Sequence, residues 1–457
     1  MKNTKRRMEV FVLYNHTGME RHFEKMAQKG WLIQRISTLG WVYRRIEPKK
    51  LHFCISYYPK ASEFDPGPSE GQQTFYDFCA HTGWQLACTS AQMQVFYNEQ
   101  ENPIPIETDS ALEVETIHAA AKKSFIPAQI TLLVMGLLFS FIGLLGLFGN
   151  PITYLADPMK LFTSCCWTVV LLLSVMELIA YFHWHKRAEE AAENGIFLDT
   201  PDTSKIHWGC LWFILAGVFY LGINIVGSSD QLLQFIMVGM TVYMILLFAL
   251  AEGIKRLGRK LKFSRKVNRT VTFVLIFVLS YAMSLTVTLS GMHLRDIGIL
   301  DRDSKASASE ILLPIEELTE VEGEYIAPKS ESESIFLKRT NITQMPHFDE
   351  AHHSVGPNME YTILDIKMPF LYDTCKRQMV KDLTQAARTD LPVERRNRLE
   401  PSDPTLWGVE EAYQVVNDGF EFAFSRFFLC YPDRMVEIEF SWEVTEDQMR
   451  IAGEKFR

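Results

Sequence analysis

The sequence predicts a multi-pass membrane protein in which an α+β module precedes five transmembrane helices and a second α+β domain follows them. Three observations lead there. Five long apolar runs occupy the middle of the chain, short alternating strands and amphipathic helices fill both ends, and Lys and Arg gather on alternate flanks of the apolar runs. The average composition, 47% hydrophobic and 22% charged over 457 residues, hides this segregation. The opening MKNTKRRMEV is basic but no apolar h-region follows it, so no cleavable signal peptide is expected.

Residues 1–100 read as one unit written twice. MEVFVLY alternates like a strand, and Thr17 with Glu20 forms a capping box for a helix striped by Met19, Phe23, Met26 and Ala27. Gly30 stands where a helix ends in a left-handed residue, and WLIQRIS and WVYRRIE then pair around Thr38-Leu39-Gly40. The second half repeats the order. LHFCISYY is a strand, PKASEFDPGPSEG a loop, Ser69 with Gln72 a capping box, and Phe75, Phe78 and Cys79 the stripe. Gly83 ends that helix, and WQLACTS and MQVFYN follow. The Gly30-Trp31 and Gly83-Trp84 pairs lie 53 residues apart, as do Val42-Tyr43 and Val95-Phe96. Two β-α-β-β units result, expected as one sheet with both helices on one face. Trp31 and Trp84 read as anchors of helix to sheet; the alternative is an aromatic ligand-stacking surface with Trp41, Tyr43, Phe96 and Tyr97.

A linker or juxtamembrane helix spans 101–125 and the membrane region 126–290, with spans at Ile126–Phe148, Leu161–Trp184, Trp208–Val226, Leu232–Ala251 and Val271–Ser290. Each can cross a hydrocarbon core about 30 Å thick. Lys122 and Lys123, then Lys186, Arg187 and Lys205, then eight cations from Lys255 to Arg269 flank the spans on one side. The positive-inside bias therefore puts the N-terminus in the cytoplasm and everything after about residue 291 outside a bacterial cell membrane. The eight-cation segment reads as a loop that fixes topology, with recognition of anionic lipid or an acidic partner as the alternative. Gly136, Ser140, Gly143 and Gly146 in the first span read as a packing stripe. Glu177 lies well inside the second span, where a carboxylate is a functional candidate; a hydrogen bond to a neighbouring helix and snorkelling compete with a proton-relay role.

Residues 291–333 are polar and read as a stalk, and 334–457 as a compact domain. SIFLKRTNIT, MEYTILDIKM, VEEAYQVV, FEFAFSRFFLCY and RMVEIEFSW are strand-like. PFLYDTCKRQMVKDLTQAA is an amphipathic helix, and Thr445 with Gln448 caps a final one. From residue 291 onward 32 acids face 19 Lys and Arg, a net charge of −13, while the first 290 residues carry +4. No direct nucleic-acid contact is expected there. Cys375 and Cys430 are either a disulfide or two buried thiols. HFDEAHHSVG supplies His347, His352 and His353, weak metal candidates that read by default as an exposed loop.

The run HFEKMAQKGWLIQRI…WVYRRIEPKKLHFCISYYP…FYDFCAHTGWQLACTSAQMQVFYN resembles the family catalogued as domain of unknown function 2812, over about residues 8–100. The resemblance implies a cytoplasmic module ahead of membrane helices, mostly in Gram-positive bacteria, with genes often beside PadR-type repressors. The family has no assigned activity, so it implies no catalytic residue. No GxSxG, HExxH or phosphate loop occurs, and no catalytic residue or cofactor is expected. The leading expectation is a non-enzymatic sensor or regulatory component, with membrane lipid, a cytoplasmic regulatory protein and a second copy of itself as candidate partners. The alternatives are a transporter or its accessory subunit, and a metal-dependent enzyme of the outer surface.

Overall fold

The structure, a computed structural model, describes residues 3–37, 40–227, 231–297, 304–305, 310–320, 325–346, 356–385, 396–417 and 425–457. It divides into two compact units. Met1–Leu138, Cys166–Phe219 and Ile236–Ser290 form one; Phe139–Cys165, Tyr220–Phe235 and Gly291–Arg457 form the other.

In the first unit, β1 (Thr4–Arg7), α1 (His16–Gln28), β2 (Trp31–Arg35) and β3 (Trp41–Arg45) precede β4 (His52–Tyr57), α2 (Glu70–His81), β5 (Gln85–Ser90) and β6 (Met93–Asn98). The strand-helix-strand-strand order thus occurs twice. The strands form two three-stranded antiparallel sheets, β1-β3-β2 and β4-β6-β5, rather than the single expected sheet. The reason is α1. Phe23 contacts Trp41 of the first sheet at 5.3 Å and Phe53 of the second at 5.5 Å, so one helix fills the space between the sheets. Helix α2 covers the opposite face of the second sheet, where Phe75 and Tyr76 meet Phe96, while Phe78, expected in the same stripe, is exposed and Tyr76 takes its place against the sheet.

Two further expectations change. The segment 8–14 is not a strand: Asn15 N–H turns back to the Val12 carbonyl, and the Tyr57 hydroxyl donates to the Leu13 carbonyl. The cap of α1 is Asn15, whose side chain accepts from Gly18 N–H, and not Thr17. Glu20 reaches across to accept from Ile55 N–H at 2.7 Å on the outer edge of β4, and Thr17 turns to Thr200. The Ser69–Gln72 capping box forms in α2. Gly30 and Gly83 end α1 and α2 with φ of +79° and +87°.

Helix α3 (Ser110–Lys123) leads into α4 (Phe125–Gly149), followed by a short α5 (Pro151–Leu155), α6 (Pro158–Ala192), α7 (Ser204–Gly227), α8 (Gln231–Lys260) and α9 (Arg265–Asp296). Five of these, α4 and α6 to α9, are long and apolar enough to cross a membrane. Most overrun the expected spans. The cationic segment expected as a loop is the end of α8 and the start of α9, joined by a four-residue turn in which Lys262 adopts φ +55°. Lys, Arg and Leu are good helix formers, so a basic run extends a helix as readily as it ends one. Gly136 lets α4 approach α6: a Cβ there would lie 2.9 Å from that of Leu171.

In the second unit, β7 (Ser304–Lys305), β8 (Tyr325–Ile326), β9 (Pro328–Glu333), β10 (Leu337–Pro346), β11 (Met359–Ile366), β12 (Arg398–Ser402), β13 (Glu411–Val416), β14 (Ser425–Cys430) and β15 (Arg434–Phe440) form a nine-stranded sheet. Its order is β12-β13-β14-β15-β11-β10-β9-β7, with β8 beside β10. Side chains alternate between faces as the strand period requires. Ile363, Phe427, Val436 and Ile438 pack beneath α12 (Glu446–Phe456), and Leu364, Phe428 and Met435 beneath α10 (Tyr372–Leu383). Trp407, in the short α11 (Pro404–Trp407), is buried on the α12 side. Helix α5 joins the α10 layer: Ser334 donates to the Leu155 carbonyl at 2.5 Å and Ser332 to that of Ala156 at 2.9 Å.

The expected stalk is therefore partly domain. Leu313 and Ile315 are fully buried, fixed by the Gln344 side chain, which donates to the Leu313 carbonyl and accepts from Ile315 N–H. The acidic β9 is a sheet strand because Lys329 and Lys338 pair with Glu331. Cys375 and Cys430 are free buried thiols in one cluster.

A Cβ on Gly30 would meet the Ile46 carbonyl oxygen at 2.9 Å, whereas on Gly83 it would meet the flexible Gln100 side chain at 3.1 Å. Left-handed backbone adds about 1–2 kcal/mol for any other L-residue. Gly30→Ala should therefore lower the melting temperature of the full-length protein more than Gly83→Ala. Equal shifts would mean that the Ile46 contact yields freely.

Candidate functional site

The polar chemistry of the first unit concentrates where the N-terminal module meets the ends of α6 to α9. Three elements bring groups together there. The turn before α1 presents Tyr14, Asn15 and His16, α6 presents Glu177, Tyr181 and Trp184, and the segment into α7 presents Thr200, Thr203 and His207.

Glu177 is only 1% exposed. The Tyr14 hydroxyl donates to its Oε2 at 3.3 Å, and His207 Nε2 lies 3.6 Å from Oε1, which has no hydrogen-bond partner. The sequence left open what Glu177 touches; the structure gives it a tyrosine from the module and a histidine from the next helix. Burial and the Glu177 charge push the Tyr14 phenol up, so it stays protonated and donates. Its ring packs on Phe125, Tyr181 and Trp184 at 5.2–5.8 Å. Beside it, His118 of α3 accepts or donates at 2.8 Å to the Tyr181 hydroxyl and stacks on His185 at 4.1 Å. Burial, and then the neighbouring His185, pull the His118 imidazole down. Asn15 accepts from the Thr200 hydroxyl at 3.0 Å, and Arg21 pairs with Asp199.

A second contact zone ties the breaker-rich loop 59–69 to the α8–α9 hairpin. Arg265 grips Asp65 with two nitrogens at 2.5 and 2.7 Å and donates to the Lys60 carbonyl. Lys255 bridges Glu63 and Glu252 at 3.0 and 2.6 Å, and Asn268 donates to the Phe64 carbonyl. Between this loop, the first sheet and α8 lies a cleft of about 720 Å³, whose walls include Phe11, Trp41, Tyr76, Lys255 and Arg259.

Inside the module, His16 sits 3.1 Å from Glu113 of α3, with Glu20 and Glu107 nearby. Burial raises the Glu20 carboxyl to about 7 and raises Glu107 as well. Burial opposes charge on His16, but its bond to Glu113 and the charges of Glu20 and Glu113 outweigh that and raise it. Cys54 and Tyr57 are pushed well up by burial and stay protonated.

Of the sequence candidates, Trp84 is buried on Cys79 and Phe96, and its indole donates to the Ile104 carbonyl at 2.7 Å. Trp31 is half-buried with Lys5 and Arg45 over its ring at 5.4 and 5.9 Å. The two tryptophans thus have unlike surroundings despite their matching positions. His347, His352 and His353 lie outside the described residues, and among those described no group of His, Cys, Asp or Glu has the geometry to hold a metal. Sequence reasoning missed Tyr14, His118 and His207, and it did not pair the acidic SEFD loop with the basic hairpin. That complementarity of charge was the one available signal.

Five long apolar helices with a module seated on their ends define a multi-pass membrane protein. Residues 16–128 match the family described as a protein of unknown function, DUF2812. The match assigns that segment and not the whole chain, and it runs through α3 into α4, beyond the expected end near residue 100. No curated protein and no solved structure matches the chain.

A group whose folded pKa is raised stabilises the fold below its unfolded pKa, and that contribution is lost as pH rises through the folded value. Glu20, moved from 4.5 to about 7, and His16, raised from 6.5, act in the same direction. The module should loosen as pH rises through about 7. Glu20→Gln keeps an acceptor for Ile55 N–H and should flatten the fall in melting temperature over that window. An unchanged slope would remove Glu20 from the explanation.

Proposed function

We propose that the protein is a membrane-embedded regulatory component whose N-terminal module changes its exposure to a cytoplasmic partner according to the state of the helices beneath it. The observation that carries this is the buried carboxylate Glu177, held by Tyr14 of the module and approached by His207 of α7. Around it, Asn15 Nδ2, Trp184 Nε1, His185 Nδ1 and Thr203 Oγ1 are also buried without hydrogen-bond partners. A joint with unsatisfied polar groups is not at a deep energetic minimum, so small shifts of α6 or α7 can change it.

The basic flanks favour a cytoplasmic module and a C-terminal domain outside the bacterial cell. The contacts within each unit obey the same parity. The module touches the α6–α7 and α8–α9 connections, and the C-terminal domain touches the α4–α6 connection. We also read the two β-α-β-β units as a duplication. In support, β2 bulges between Ile33 and Arg35, and β5 between Leu86 and Cys88, again 53 residues on.

Buried Cys88 reports on the module interior. In the coupling reading, Glu177→Gln or Tyr14→Phe in the full-length protein in nanodiscs raises the rate of thiol labelling at Cys88 several-fold. Unchanged protection in both variants contradicts it. The same carboxylate supports a second reading, a transporter or its accessory subunit. There Glu177→Gln stops flux and leaves Cys88 as protected as before. The reading as a metal-dependent enzyme has no supporting observation among the described residues.

A further inference from the structure

The two sheets of the module use equivalent faces differently, although Leu32, opposite Arg44 in the first sheet, is buried. In the second sheet, the face carrying Cys88, Val95 and Tyr97 is buried in the core that α1 fills. The positions 53 residues earlier are Arg35, Val42 and Arg44. Cross-strand pairing puts Arg6 and Arg35 both opposite Val42, and Arg44 opposite Thr4, so the three arginines share one face. All three are exposed, and among the described residues none of them has an ion-pair partner. Like charges on neighbouring strands repel, and no acid among the described residues pairs with them here.

The same sheet ends in an open edge. Among the described residues β1 is the outermost strand, pairs only with β3, and has all four of its residues, Thr4-Lys5-Arg6-Arg7, exposed. An edge strand presents unpaired N–H and C=O groups to any extended chain. On the second sheet the corresponding edge, β4, is closed: Glu20 accepts from Ile55 N–H. Among the described residues one edge is thus blocked and the equivalent one is open beside the arginines.

We propose that this surface binds an acidic, extended polypeptide segment that adds as a fourth strand to β1 and lays its carboxylates against Arg6, Arg35 and Arg44. The inference rests on the reading of the module as a partner-binding element and names the chemistry of that partner. Arginine, with its planar fork, suits carboxylates better than a diffuse charged surface. Main-chain pairing along β1 gives a peptide a contact that a lipid surface has no means to make.

The test uses the full-length protein in phosphatidylcholine nanodiscs and a fluorescein-labelled octapeptide of alternating Glu and Val. Binding should fall about tenfold or more with Arg6→Glu or with Arg44→Glu, and by less than about twofold with Lys50→Glu, an exposed cation off this face. Arg44→Gln, which removes charge without reversing it, should weaken binding by an intermediate factor and leave the melting temperature unchanged or higher. The same peptide N-methylated at alternate residues should lose binding, since strand addition needs its N–H groups. Equal losses in the Arg and Lys variants, or full binding of the N-methylated peptide, overturn the proposal. Retention on phosphatidylglycerol vesicles or on a DNA oligomer through Arg6 and Arg44, with no peptide binding, also overturns it and gives the face to that ligand. Peptide binding with Cys88 unaffected by Glu177→Gln contradicts the coupling reading alone; lost peptide binding with Cys88 freed contradicts this one alone.

Discussion

A carboxylate buried among membrane-spanning helices has to be answered by some other group, and in this chain the answer comes from outside the membrane segments. Glu177 takes its hydrogen bond from Tyr14, 163 residues away in sequence. Leaving a buried charged or polar group unanswered costs about 1–3 kcal/mol or more. That penalty fixes where the turn before α1 must sit, and with it the aromatic packing of Tyr14 on Phe125, Tyr181 and Trp184. The contact is a polar one at the end of an apolar bundle, which makes it sensitive to small displacements.

From that point the structure continues through α1. Its first turn lies at the helix bundle, and Phe23, Met26 and Ala27 farther along lie buried between the two sheets. His16 and Glu20 on the same helix engage Glu113 of α3 and the edge of β4. A shift of Tyr14 therefore reaches the first sheet, the second sheet and the helix that leads into α4 by way of one rigid element. The loop holding Glu63 and Asp65 on Lys255 and Arg265 ties the same module to α8 and α9.

The local features were legible in the sequence. The α1 stripe of Met19, Phe23, Met26 and Ala27, the Ser69 and Thr445 capping boxes and the left-handed Gly30 and Gly83 all depend on residues within four positions of their neighbours in the pattern. The five apolar helices were legible for the same reason. What escaped depends on distance along the chain. Glu20 reads as half of a capping box until β4 arrives to claim its carboxylate. The polar segment 291–333 reads as a stalk until Gln344 fixes Leu313 and Ile315 and the lysines of β9 and β10 pair with Glu331. Asp65 and Arg265, 200 residues apart, share no periodicity that could connect them. A strand containing Pro401 hides for another reason, since proline argues against a ladder everywhere but at an edge, and β12 is an edge.

If the Tyr14–Glu177 contact holds the module on the helices, the two side chains must be energetically coupled. A double-mutant cycle with Tyr14→Phe, Glu177→Gln and the double variant measures this in full-length protein in nanodiscs, from hydrogen-exchange opening free energies along α1. A coupling of about 0.5–3 kcal/mol, with the double variant little worse than either single one, is the expected result. Additive effects, with no coupling, would contradict it.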